Sequence, residues 1–162
     1  MKRAAAGLCL LLLVLLACGP RSVQGSLSVL MDMRYQSVEV VMGSSDLTVR
    51  YTKPSTDDNR GEDLVLAVSA RGLRLPFAAD AGYPLTIDLA EDIGGVQRGA
   101  LARNVLNDPR QTFPAMERGH LTFNGLPVVD RQASGDFAVT FVLGEEFGDG
   151  RTLYDNFQGK VR

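Results

Sequence analysis

Gly135-Asp136-Phe137-Ala138-Val139-Thr140-Phe141-Val142-Leu143 is the stretch whose reading decides the fold. Phe137, Val139, Phe141 and Leu143 recur with a period of two, and Ala138, Thr140 and Val142 fill the places between them. Successive side chains of an extended chain point to opposite faces, so this pattern predicts a strand with one face in a core. An acidic, glycine-rich connection follows over 144–150. Leu153, Phe157 and Val161 then mark a last strand that returns antiparallel to the first.

The same period appears upstream. Leu121 and Phe123 flank Thr122 ahead of an Asn124-Gly125 turn, and Val128-Val129 forms a short apolar pair. Leu85, Ile87 and Leu89 alternate with Thr86 and Asp88. Leu64-Val65-Leu66-Ala67-Val68 reads as a strand buried on both faces, and Leu73 to Phe77 as a further short one. Gln36–Met42, the turn Gly43-Ser44-Ser45-Asp46 and Leu47–Tyr51 compose a hairpin. Leu27, Val29, Met31 and Met33 suggest a strand before it. Residues 96–106 are ambiguous. Val96, Ala100, Leu101 and Val105 would fit a helix face, but Gly99 costs a helix about 1 kcal/mol and the neighbourhood favours a strand. The expectation is an all-β domain, an antiparallel β-sandwich of about 7–9 strands, with a closed β-barrel as the alternative.

The N-terminus is of another kind. Lys2 and Arg3 precede the apolar run Leu8–Ala17, which is too short for the ~20 residues of a bilayer span and suits a secretory signal. Where the run stops stands Leu15-Leu16-Ala17-Cys18. This motif resembles the lipobox of bacterial lipoproteins, with a branched apolar residue three positions before the cysteine and a small one directly before it. The resemblance implies a signal peptide over 1–17, a diacylglycerol on the Cys18 sulfur and an acyl chain, palmitate or a near relative, on its new amino group. One acyl chain holds a protein only marginally, whereas two or more hold it stably. Gly19, in place of the aspartate that retains enterobacterial lipoproteins at the inner membrane, implies the outer membrane. Residues 18–25 then read as a lipidated tether, its seven residues Gly19–Gly25 reaching roughly 25 Å at most, and 26–162 as the domain. The competing reading is ordinary cleavage after Gly25, which would free a secreted soluble domain.

A second resemblance lies at the other end. Gly119-His120-Leu121-Thr122-Phe123, Gly135–Phe141 and Asp155–Val161 resemble the closing hairpin of small, uncharacterised β-sandwich lipoproteins of myxobacterial type, which end on a G-x-F-x-V-x-F strand, a glycine-rich turn and an L-x-G-x-F strand. Asp155 stands where that pattern has glycine. These motifs imply a fold and no particular chemistry.

Cysteine usage and charge exclude several functions. Both cysteines, Cys9 and Cys18, precede the domain, so it has no thiol for a disulfide, a Cys-rich metal site or a nucleophile. Of 17 basic side chains, Lys2 and Arg3 leave with the signal; the remaining 15 face 19 acidic ones. They are scattered, and nucleic-acid binding needs a basic footprint. Asp57, Asp58, Glu62 and Asp63 cluster in a polar loop over 54–63, but the spacing does not match a calcium loop and a solvated tip explains it better. His120, the chain's one histidine, reads as a residue at the mouth of a strand. A triad needs a nucleophile, a base and an orienting group; no G-x-S-x-G elbow is present. Glu145-Glu146 sit in a glycine-rich loop, a poor place for rigid positioning.

The sequence therefore predicts no enzyme, no cofactor, no metal site and no nucleic-acid partner, with Cys18 as the one modified residue. The expected role is interaction or structure in the cell envelope, through a protein partner it does not name. The alternative is a carrier of a small apolar ligand inside a barrel. An empty apolar interior would favour the carrier and a filled core the interaction module.

Overall fold

The structure, a computed structural model, describes residues 21–142 and 150–162. The expected signal peptide over 1–17, Cys18, Leu143 and Glu145-Glu146 lie outside the described residues. The described chain is all-β: β1 (Arg21–Ser22), β2 (Arg34–Tyr35), β3 (Ser37–Met42), β4 (Asp46–Pro54), β5 (Glu62–Arg71), β6 (Leu85–Asp88), β7 (Gly99–Asn104), β8 (Met116–Phe123), β9 (Gln132–Phe141) and β10 (Thr152–Val161). Eight strands form one sheet in the order β6-β8-β9-β10-β3-β4-β5-β7, and β1 pairs with β2.

The deciding stretch behaves as its period demands. In β9, Phe137, Val139 and Phe141 are buried, and β10 returns antiparallel with Leu153 opposite Val139 and Phe157 opposite Gly135. Leu153, Phe157 and Val161 join the same core. Neighbouring strands are antiparallel throughout the large sheet except β10 and β3, which meet in parallel at Lys160–Val161 and Glu39–Val40. The ambiguous piece is a strand over Gly99–Asn104, facing Leu101 and Arg103 inward.

The sheet rolls until its ends meet, nearer to the barrel form of the expected class than to two stacked sheets. Just past β6, Leu89 O accepts from Gly99 N at 2.7 Å and Glu91 O accepts from Arg98 N at 2.7 Å, at the start of β7. The Gln97 amide adds two bonds to the Met116 backbone, 2.6 and 2.9 Å. Three register shifts, at Tyr51/Thr52, Leu64/Ala67 and Met116/Arg118, supply the local bends that curling needs. Gly99 permits the seam, because a Cβ there would sit 2.6 Å from the Leu89 Cβ and 2.7 Å from the Met116 Cε.

Side chains fill the interior. Tyr51, Phe123, Phe137, Phe141, Leu47, Leu66, Leu121 and Leu153 are each less than 2% exposed. Tyr51 sits edge-on to both Tyr35 and Phe137, with centroids 4.9 and 5.8 Å apart. Arg103, 2% exposed, reaches in from β7. Its Nη1 donates to Asp32 O and Val65 O at 2.9 and 3.0 Å, and its Nη2 to Asp108 Oδ2 at 2.9 Å. A guanidinium can lie this deep because backbone carbonyls and a carboxylate receive its protons.

Several expectations shift. Leu27–Met33 is a turn, not a strand: Ser28 N and Oγ donate to Gly25 O, Leu30 N donates to Leu27 O, and Val29 is 76% exposed. Leu27, Met31 and Met33 are buried as expected and Val29 is not, because a turn in place of a strand breaks the period of two. Leu73–Phe77 and Val128-Val129 form no strand; Leu73, Leu75 and Phe77 pack against the core from a loop.

The tether boundary moves too. The folded domain begins by Arg21, not Ser26. Arg21 pairs with Tyr35 and Ser22 with Arg34. Val23 is fully buried and donates from its N–H to Met33 O at 3.1 Å. Gln24 exchanges two backbone bonds with Tyr154, at 2.9 and 3.0 Å. Gly25, at φ 126°, turns the chain against the backbone of Thr152 and Leu153, a conformation and a closeness that glycine alone tolerates. This segment wedges between β2 and the first half of β10, whose second half pairs with β3.

Candidate functional site

The register of β6, β8, β9 and β10 lays side chains in rows across the outer face of the sheet. Asp88 lies opposite His120, His120 opposite Ala138, and Ala138 opposite Tyr154. One row towards the end of β9, Arg118 faces Thr140 and Thr140 faces Thr152. The other way, Thr86, Thr122, Asp136 and Asn156 align. Ala138 is the small residue in the middle row, and it leaves a groove of about 580 Å³ between His120 and Tyr154, with Arg118, Thr140 and Asp88 on its rim.

His120 is therefore not at the mouth of a strand. It is the fifth residue of β8, an inner strand flanked by β6 and β9, because β8 begins at Met116, before the apolar alternation starts. Its side chain is 45% exposed, and its Nε2–H donates to Asp136 Oδ2 at 3.1 Å. Asp88 turns one oxygen back to Ala90 N at 2.9 Å. Arg118 Nε donates to Thr140 Oγ1 at 3.2 Å, which fixes the guanidinium beside the groove. Thr86 and Thr122 bond each other at 3.2 Å.

Tyr154 forms the other wall and is 51% exposed. Its backbone is held from both sides, by Ala138 in β9 and by Gln24. The N-terminal segment thus braces the aromatic wall of the groove.

A second depression, about 550 Å³, opens where that segment wedges in; Arg21, Tyr35, Asp155 and Gln158 are among its lining residues. Tyr35 Oη donates to Asp155 Oδ2 at 2.8 Å. Burial pushes the Asp155 carboxyl above its ordinary range, and the bonds from Tyr35 and from Asn156 N only partly offset it. Elsewhere the carboxylates go down. Asp32 is held well below the usual range by its bonds to Arg34, with Lys53 adding to them. At Asp108 burial raises the pKa, and bonds from Arg110 N and Arg103 outweigh it.

Among the described residues, no three His, Cys, Asp or Glu side chains are grouped so as to hold a metal ion. Asp63, at the start of β5, is turned inward against Leu106 N and Arg60, while Asp57, in the loop after β4, caps the turn through Asn59 N. Both carboxylates are thus engaged within the protein's own fold. What the structure adds to the sequence reading is the groove, and the cue for it is one of register: a small residue midway between two larger ones on adjacent strands.

An all-β, nearly closed barrel with a filled core and a groove on its outer face is the class of protein these observations define. Comparison with models of known families, with curated proteins and with solved structures finds no match to this chain.

Proposed function

We propose that the protein is a lipoprotein of the bacterial envelope, anchored through Cys18 and, with Gly19 following, bound for the outer membrane. Its barrel serves a non-catalytic binding role through the groove over β8, β9 and β10. The observation that carries this reading is the N-terminal segment. Cleavage after Gly25 would remove β1, the buried Val23 and the pair that Gln24 makes with Tyr154. Cleavage before Cys18 leaves all of them in place. With the anchor at Cys18, only Gly19 and Pro20 separate it from the first paired residue, a reach of about 10 Å, so the barrel rides close to the headgroups.

The filled interior speaks for binding on the outside over an apolar ligand carried within. The chemistry around His120 speaks for binding over catalysis. Its ring nitrogen is engaged with a carboxylate, and the nearby Thr86 and Thr122 hydroxyls are engaged with each other. Among the described residues a base and an orienting group are thus paired with no nucleophile poised beside them.

Labelled palmitate tests the anchor. Label should enter the wild-type chain and vanish in Cys18→Ala, with the unprocessed precursor accumulating. Equal incorporation in the two would remove the assignment.

A further inference from the structure

We propose that the groove between His120 and Tyr154 binds a neutral saccharide, one pyranose ring lying over Ala138. This deepens the binding role given above and rests on it.

Three features select the ligand. The first is charge. Arg118 and Asp88 stand on the same rim with opposite formal charges. A bare anion would meet Asp88 and a bare cation Arg118, so a neutral ligand fits best. The second is the mixture of surfaces. Tyr154 presents an exposed ring beside the methyl of Ala138, while the rim carries Arg118, His120, Asp88 and the Thr140 hydroxyl. Such a site wants a ligand with one apolar face and a border of hydroxyls that both donate and accept. Pyranoses have that character: axial C–H groups make a flat apolar face, and the hydroxyls project around the edge.

The third feature is width. His120 and Tyr154 lie on strands two apart, with Ala138 between them. At about 4.8 Å per strand the backbones that carry the two walls stand roughly 10 Å apart, which suits one six-membered ring between their side chains. The site is also built in advance. Arg118 is oriented by Thr140, His120 by Asp136, and Tyr154 by backbone pairing on both edges, so little ordering cost falls on binding.

The test is an NMR titration of the full chain, processed and purified in detergent micelles, with the N-acetylglucosamine tetramer and maltotetraose as neutral probes and benzoate as an anionic ring. At least one sugar should shift the amides of Ala138, His120 and Tyr154 and the side-chain signal of Arg118 at millimolar concentration. Tyr154→Ala and Ala138→Leu should each weaken binding about tenfold or more at unchanged melting temperature; both positions face outward, and the second keeps the test valid should the first disturb the sheet. Silence with both sugars, shifts that survive Ala138→Leu, or tighter binding of benzoate would each overturn the proposal. The palmitate result does not depend on this titration. A groove deaf to sugar on a protein that still takes label would refute the saccharide and leave the anchor standing.

Discussion

Tyr51 carries a hydroxyl that the fold buries completely, and no described group bonds it. An unsatisfied buried polar group costs about 1–3 kcal/mol, and the ring's packing against Tyr35 and Phe137 does not need the oxygen. Tyr51→Phe should therefore leave stability unchanged or raise it by about 1 kcal/mol, read as a melting temperature at or above that of wild type. A clear fall would mean that the hydroxyl has a bonded partner in solution. Asp155, further along the same cluster, adds a pH dependence. Its folded pKa is raised, chiefly by burial, so the folded state favours the protonated form. The sign follows: this group's contribution is most favourable below the unfolded carboxylate value of about 3.9 and is lost as pH rises through the folded value. Asp32 and Asp108, with lowered pKa values, contribute in the opposite sense and lose their share as pH falls through their folded values. Asp155→Asn, which keeps an acceptor for Tyr35, should gain on wild type as pH rises from about 4 towards neutrality. Urea midpoints measured across that range should diverge; a constant difference would contradict the assignment.

At the scale of elements, two pieces hold the barrel together at its weakest joints. The first is the segment before Ser26. A chain that begins at Ser26 loses the burial of Val23, its bond to Met33 and the exchange between Gln24 and Tyr154. It should be about 3–5 kcal/mol less stable than one that begins at Gly19, and equal denaturation midpoints would show that the segment is dispensable. The second is the seam. Gly99→Ala drives a methyl into Leu89 and Met116 and should cost about 1–3 kcal/mol. Hydrogen exchange at the Arg98 and Gly99 amides should quicken at the same time; unaltered exchange would mean that the ends of the sheet are not joined there.

These elements also mark where sequence could be read and where it could not. β9 and β10 were legible because alternation over many residues carries its own phase. Leu27–Met33 was not, since a turn can bury residues that happen to sit two and four apart. The wedge of Arg21–Gly25 has one apolar side chain, and its stability comes from backbone bonds to strands far along the chain, which composition does not encode. Arg103 reads as a surface charge until the carbonyls that receive it are known. The groove depends on register alone. His120 was singled out as a residue, but its place opposite Ala138, with Tyr154 beyond, exists only once β8, β9 and β10 are paired.

For the whole molecule, one dependence ties location to binding. The segment that leads from Cys18 into the barrel also pairs with Tyr154, the aromatic wall of the groove. The proposed anchor and the proposed binding face are therefore joined by a single short stretch of backbone. A lipid-held protein keeps both; a protein trimmed at Ser26 would lose the anchor and loosen the wall. The most direct measurement is intact-mass and N-terminal analysis of the native protein purified from membranes of its own cells. The chain should start at Cys18 and carry the mass of a diacylglycerol and an acyl chain. An unmodified chain that starts at Ser26 would contradict this.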